Sequence, residues 1–256
     1  MLVKLILLAL AIAFSYVVYR KGWSVFFAIL ANVIAVLVFV FGDIGKPISI
    51  PDIFEKSNTK TNEYTYTPDG KFVTFGSYEQ DNDLSNGNDD LKWIVLDEVG
   101  DQRLLITAQV IDAVRYNNVW EETSWKSSTL RAWLNDAFLK EAFTEEERKR
   151  IVAKERYDKN GIETSDRVFI MNIQELHEYF NSMEDRKTGA TPYAKAQGVY
   201  EYQDTVWWWV SDAGESENGE ERPFYAAYVN CLGDILENGM LVFNSDFGIR
   251  PAIWVR

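Results

Sequence analysis

The chain holds one thiol and one imidazole, Cys231 and His177, so thiolate attack assisted by a neighbouring base is the first chemistry to weigh. Alternation in the strand ending at Cys231 sets it with Tyr225, Ala227 and Val229 on a mainly apolar face, and His177 falls between Leu176 and Glu178 on a short helix. The pattern points to a buried thiol and a helix-surface imidazole. One of each also excludes a zinc centre made of cysteine and histidine. No catalytic residue, metal ligand or cofactor is assigned from the residue pattern.

Carboxylates are abundant. In the loop Asp81 to Asp90, Asp81, Asp83 and Ser85 have the alternate spacing that opens a calcium loop, but Gly87 comes one place late and Lys92 stands where a bidentate glutamate should close it. The loop reads as a solvated turn. The stretch Ser211 to Arg222 is too polar for a core and too long for a simple turn, as functional loops often are. Alternation sends the middle indole of Trp207-Trp208-Trp209 to the face opposite its neighbours, so stacking of a sugar ring or a peptide side chain on it is the hypothesis for this loop. The candidate ligand-binding residues are therefore Trp208, Asp212, Glu215, Asn218, Glu220 and Asn230. Arg250, between Ile249 and Pro251, reads either as an anion clamp or as a guanidinium satisfied by backbone carbonyls. The second reading makes it structural, as Trp133 is.

The elements that must position these groups mix α and β. Strands are expected at 71–78, 92–96, 103–107, 166–171, 206–210, 224–231, 239–244 and 248–255. Leu130, Trp133, Leu134, Ala137 and Phe138 form one apolar helix face capped by Ser127 or Ser128, and Thr144 with Glu147 is a capping box for a second, short helix. Asn172 caps a third that runs to Phe180. Pro251 cannot donate to a ladder, so it is expected at an edge or bulge.

Ahead of this lie two apolar runs, Leu2 to Tyr19 and Trp23 to Gly42, separated by Arg20-Lys21-Gly22. Each has the length of a membrane-spanning helix, and the connection suits a tight hairpin. The expected organisation is a transmembrane helical hairpin over 1–42, a tether over 43–70 and a single domain over 71–256. Arg20 and Lys21 favour a multi-pass protein of the cell membrane with its globular domain outside. The whole chain carries a net charge of −13, and Lys4, Arg20, Lys21, Lys46 and Asp43 lie in the first 47 residues, which leaves about −16 on the rest. Such a surface repels phosphate backbones and excludes nucleic acid as a partner. With 47 % hydrophobic residues and nine tryptophans the chain is globular rather than a disordered acidic tail.

Several segments occur together in one order: Trp125-Lys126-Ser127-Ser128-Thr129-Leu130-Arg131-Ala132-Trp133-Leu134-Asn135, Ala142-Phe143-Thr144, Asp166-Arg167-Val168-Phe169-Ile170, Thr191-Pro192-Tyr193-Ala194, Trp207-Trp208-Trp209-Val210-Ser211, Ala227-Tyr228-Val229-Asn230 and Gly248-Ile249-Arg250-Pro251-Ala252. In this the chain, from about Phe72 onward, resembles a bacterial family, domain of unknown function 6273. The resemblance implies an α+β, C-type-lectin-like fold, distantly like the formylglycine-generating enzymes, on secreted or membrane-anchored proteins. The calcium triplets of C-type lectins are missing, and Trp133-Leu134-Asn135-Asp136 has one residue too many for the lectin Trp-Asn-Asp motif. The function expected is a non-catalytic, extracellular ligand-binding or interaction module, with the membrane and a surface glycan or protein as partners. The alternatives are an enzyme on the same fold with an unrecognised carboxylate site, and a cytoplasmic accessory domain of a membrane partner.

Overall fold

Four consecutive buried residues, Leu104, Leu105, Ile106 and Thr107, mark a strand covered on both faces, and the architecture is organised around it. The computed structural model describes Thr65–Tyr66, 72–158 and 161–256. The chain divides into units 1–61 and 62–256, and every described residue belongs to the second.

In chain order the strands are β1 (Thr65–Tyr66), β2 (Val73–Tyr78), β3 (Asp89–Val99), β4 (Gln102–Thr107), β5 (Asp112–Ala113), β6 (Ile151–Val152), β7 (Lys154–Tyr157), β8 (Glu163–Asp166) and β9 (Val168–Phe169). There follow β10 (Glu201–Tyr202), β11 (Thr205–Val206), β12 (Trp208–Glu215), β13 (Glu221–Val229), β14 (Ile235–Leu241), β15 (Gly248–Ile249) and β16 (Ala252–Val255). A seven-stranded sheet runs β1-β2-β3-β4-β16-β6, with β9 also paired to β16, and a five-stranded sheet runs β14-β13-β12-β15-β5. Two ribbons, β7–β8 and β10–β11, stand apart from them.

The sequence led us to expect one strand over 248–255. It is instead two short strands in different sheets: Gly248 pairs with Trp208 and Ala113, whereas Ala252–Val255 pairs with Arg103–Ile106. Arg250 and Pro251 form the crossing. Pro251 has no N–H to give a ladder, but its carbonyl accepts the Thr107 N–H at 3.0 Å, so the break wastes no donor.

The main helical run, α1 (129–142), consists of Thr129–Trp133, a π turn at Leu134–Phe138, and Leu139–Ala142. Ser128 caps it, its hydroxyl accepting from the Arg131 N–H. The π turn changes the expected face. A wider turn delays the register by one residue, so Leu139 and Ala142 enter the core with Leu130, Leu134 and Phe138 while Ala137 is turned to solvent. The end of α1 then lies directly on β2. Gly76, at φ +72°, allows this, because a Cβ there would stand 2.5 Å from the Phe143 ring and 2.6 Å from the Ala142 carbonyl. The remaining helices are α2 (Glu145–Arg150), α3 (Ile173–Tyr179), α4 (Met183–Arg186) and α5 (Pro192–Ala196). Thr144 and Asn172 close the capping boxes of α2 and α3 with Glu147 and Glu175.

The expected fold class needs correction. The described residues are mainly β-sheet with a few short helices, and none of those helices is long and apolar enough to cross a membrane. Even α1, with fourteen residues in three pieces, reaches only about 21 Å and carries Arg131, Asp136, Lys140 and Glu141. The hairpin expected over 1–42 lies outside the described residues. The expectation of a multi-pass cell-membrane protein with an integral membrane partner and an exterior domain therefore has no helix behind it among the described residues and does not stand. The tether expected over 43–70 also falls largely outside the described residues, except that Thr65–Tyr66 pairs with Val73–Thr74 and so adds a strand to the larger sheet.

Candidate functional site

The β2–β3 hairpin sets Tyr78 opposite Asp89 and Ser77 opposite Asp90, which brings the two ends of the intervening acidic loop together. Backbone N–H groups then fix the carboxylates. Asp89 Oδ2 accepts from the Gln80 and Asp81 N–H groups, each at 3.1 Å, and Glu79 Oε1 accepts from the Asn82 N–H at 2.6 Å. Asp81 Oδ1 accepts from the Asp83 N–H at 2.8 Å and its Oδ2 from the Asn86 amide at 2.9 Å. The Asp83 N–H in particular holds the Asp81 carboxyl below the usual carboxylate range. Asn82 takes the left-handed conformation, φ 65°, that lets the loop fold back on itself.

One oxygen from each of Glu79, Asp81 and Asp89 lies within 4.8 Å of the others. Two oxygens on opposite sides of one Ca²⁺ are about 4.8 Å apart at a metal–oxygen distance of about 2.4 Å, so the set suits a hard cation of that size. Beside it opens a cleft of about 420 Å³ lined by Gln80, Asp81, Asp89, Asp90, Lys92, Gln109, Thr191 and Pro192. The far wall is fixed by the Tyr193 N–H, which donates to the Gln80 carbonyl at 3.0 Å, and by Thr191, which caps α5. Next to this wall, the Tyr78 hydroxyl donates to Asp112 Oδ2 at 2.8 Å while Asp112 Oδ1 accepts from the Ala113 N–H. Burial pushes Asp112 up to about 6 and the Tyr78 phenol far above its ordinary value.

The residues singled out from the sequence are not gathered here. Trp208 is fully buried at the start of β12, so its indole offers no face to a ligand outside the protein. Glu215 stands at the other end of the same strand, roughly 23 Å away at 3.3 Å per residue. Asn218 and Glu220 are exposed in the β12–β13 turn, where the Glu220 N–H donates to Ser216 Oγ. Asn230 is occupied in a second turn, its Oδ1 accepting from the Leu232 and Asp234 N–H groups and its amide donating to Asp234. Asp212 accepts from the Ile173 N–H at 2.7 Å and lines a separate cavity of about 20 Å³ with Trp125, Arg156 and Asn172. Cys231 is buried with its Sγ 3.3 Å from the Thr205 carbonyl, burial pushes its thiol up, and His177 is exposed on α3.

The segments that carried the family resemblance are occupied in bracing the fold. Asp166, fully buried, accepts from Trp125 Nε1 at 2.9 Å, Arg131 Nε at 2.6 Å and Thr164 Oγ1 at 3.0 Å. Asn135 ties the π turn to the segment after it. Its amide donates to the Arg131 and Val168 carbonyls, and its Oδ1 accepts from the Arg167 and Val168 N–H groups. That uses all four of its bonding positions and leaves none for a ligand. Trp133 packs its ring 5.2 Å from that of Phe138, in keeping with a structural role.

Family comparison agrees with these segments. The family described as "Domain of unknown function (DUF6273)" matches residues 100–256, more than half of the chain. The chain belongs to this family. The DUF6273 match begins after β3, so Glu79, Asp81 and Asp89 lie outside it. No curated protein and no solved structure matches the chain, and the C-type-lectin-like fold and the likeness to formylglycine-generating enzymes thus gain no support. A surface glycan as partner is likewise unsupported, since Trp208, the indole expected to stack on it, is in the core.

Sequence reading missed two features. Glu79 stands before the loop that was tested for calcium spacing, and it joins Asp81 and Asp89 only because the hairpin closes. Trp120, 55 % exposed, stacks on Phe224 at 5.0 Å and meets Phe243 edge-on at 5.0 Å, making an aromatic patch on the surface. The signal available was a tryptophan between polar residues, Asn117-Asn118-Val119-Trp120-Glu121-Glu122, where no amphipathic period would bury it.

Proposed function

We propose that this domain is a non-catalytic ligand-binding module that takes Ca²⁺ at Glu79, Asp81 and Asp89 and a polar ligand in the adjoining cleft. The observation that carries the reading is the convergence of three carboxylate oxygens within 4.8 Å at the rim of the 420 Å³ cleft. Backbone N–H groups already orient each carboxylate, so little side-chain freedom is lost when an ion arrives. Mg²⁺ is disfavoured, because it demands near-ideal octahedral geometry and gives up its waters reluctantly, whereas Ca²⁺ accepts an irregular set of oxygens.

Isothermal titration of the chain with CaCl₂ and MgCl₂ tests this. The expected result is saturable Ca²⁺ binding, weaker Mg²⁺ binding, and loss of the Ca²⁺ signal in Asp89→Asn, whose amide oxygen can still accept from the backbone. Absence of binding at about 10 mM Ca²⁺, above the weakest range of about 1 mM for protein calcium sites, would sink the proposal.

A further inference from the structure

The loop that carries Trp120 is pinned at both ends. The Asn117 N–H donates to the Val242 carbonyl and the Thr123 N–H to the Pro223 carbonyl, each at 2.8 Å. Asn117, fully buried, donates its amide to the Val119 carbonyl at 2.9 Å and to Thr123 Oγ1 at 3.0 Å, while its Oδ1 accepts from the Thr129 N–H at 3.0 Å. Thr123 Oγ1 in turn donates to the Glu121 carbonyl at 2.9 Å. Buried side chains therefore fix a loop whose tip is apolar and faces solvent, with Val119 54 % and Trp120 55 % exposed. The indole stacks on Phe224 and stands perpendicular to the ring of Phe243, itself 39 % exposed. A half-exposed tryptophan held in one conformation offers a partner a large area and loses little freedom on binding, which is what an interface anchor needs.

Charge around the tip selects the partner. Glu121 and Glu122 follow Trp120 directly, both exposed, and neither forms an ion pair among the described residues. Glu220 and Glu221, also exposed, lie two and three residues before Pro223 and so within about 10 Å of the carbonyl that holds Thr123. Against these carboxylates stand Arg115, exposed two residues before Asn117, and Arg222. Arg222 is already engaged, with its Cζ 3.5 Å from the centre of the Tyr225 ring and its Nη1 donating to the Asn238 carbonyl. A second copy of the chain, net charge −13, would bring the same carboxylates against these and be repelled. A cationic segment gains where the copy loses. Arginine suits the tip better than lysine, because a planar guanidinium stacks on an indole and also bonds a carboxylate through two N–H groups.

We propose that Val119, Trp120 and Phe243 form a docking surface for an arginine-bearing peptide segment of another protein. Apolar side chains of the segment cover the rings while its guanidinium groups meet Glu121 and Glu122. The surface shares no residue with the cation site and does not depend on it.

The probe is a short fluorescein-labelled peptide of alternating arginine and leucine, titrated with the full chain and followed by fluorescence anisotropy. Lysine–leucine and glutamate–leucine peptides of the same length serve for comparison. The expected result is saturable binding of the arginine peptide, weaker binding of the lysine peptide and none of the glutamate peptide. Trp120→Ala should weaken the arginine peptide by about tenfold or more. Glu121→Gln combined with Glu122→Gln should weaken it by about fivefold and flatten its dependence on salt. The double variant leaves the aromatic contacts intact, so it tests the surface even if Trp120→Ala does not fold. Equal affinity of wild type and Trp120→Ala would mean general attraction of a cationic peptide to an acidic chain, and overturns the proposal, as does absence of binding. A wild-type dimer in sedimentation velocity that Trp120→Ala dissolves would assign the patch to a second copy, and overturns it too.

Discussion

Asp112 offers the sharpest test of the buried network beside the cleft. Its carboxyl is 7 % exposed, accepts from the Tyr78 hydroxyl and the Ala113 N–H, and is pushed by burial from 3.8 to about 6. A carboxyl with a raised folded pKa binds its proton more tightly in the native state. Its contribution to stability is therefore complete below about pH 3.8 and is lost as pH rises through about 6. The gap of about 2.2, at about 1.36 kcal/mol for each pKa unit, makes the loss about 3 kcal/mol. Asp112→Asn removes the titration and keeps an acceptor oxygen. Urea unfolding of both proteins, followed by tryptophan fluorescence between pH 4 and pH 8, gives the difference in unfolding free energy at each pH. Groups common to both proteins cancel in that difference. Wild type minus variant should fall by about 2.4 kcal/mol from pH 4, where part of the effect is already lost, to pH 7.5 and level off above. A difference that is flat within about 0.5 kcal/mol, or that rises with pH, would refute the assignment of a buried, proton-holding carboxyl.

Asp166→Ala should destabilise by about 3–5 kcal/mol in urea unfolding, because it strips the counter-ion from Arg131 and leaves Trp125 Nε1 unpaired in the core. Gly233→Ala should lower the melting midpoint sharply, since its Cβ would lie 1.9 Å from the Met183 carbonyl oxygen at a φ of +83°. Trp120→Ala and Trp209→Ala should contrast in the same melts. The first residue is 55 % exposed and should cost about 1 kcal/mol, whereas the second is fully buried, stacks on Phe247 at 4.0 Å and donates to the Val114 carbonyl, and should cost about 3–5 kcal/mol.

What could be read from the sequence follows the range of the interactions that decide it. Ser128, Thr144 and Asn172 bond to N–H groups three residues ahead; the caps at Thr144 and Asn172 are legible in the sequence, and that at Ser128 to within one residue. The strands at 73–78 and 102–107 were legible for a similar reason, each being a run of suitable residues between turns. The expected strand over 239–244 lies at 235–241, because its pairing with β13 decides its limits and its own composition does not. The shift of face within α1 depends on the π turn held by Asn135, whose bonds to Arg167 and Val168 reach more than 30 residues along the chain. At the candidate site, Asp81 was visible as a loop carboxylate. Its meeting with Glu79 and Asp89 depends on the hairpin register, which no spacing rule across the loop contains. Trp208 was chosen as a surface residue because alternation gives a side but not what lies on that side.

The placement of β16 also bears on how the chain acquires its structure. Its residues, 252–255, pair with β4 some 150 positions earlier and with β6 and β9 about 100 and 84 positions earlier, so they join strands from distant parts of the sequence. During synthesis, at about 5–20 residues per second, the strands before it wait several seconds with their pairing edges open. Closure is then a late, long-range step, and long-range closure is slow. Nascent chains stalled just short of Ala252 should remain protease-sensitive, and become resistant together once β16 has left the ribosome.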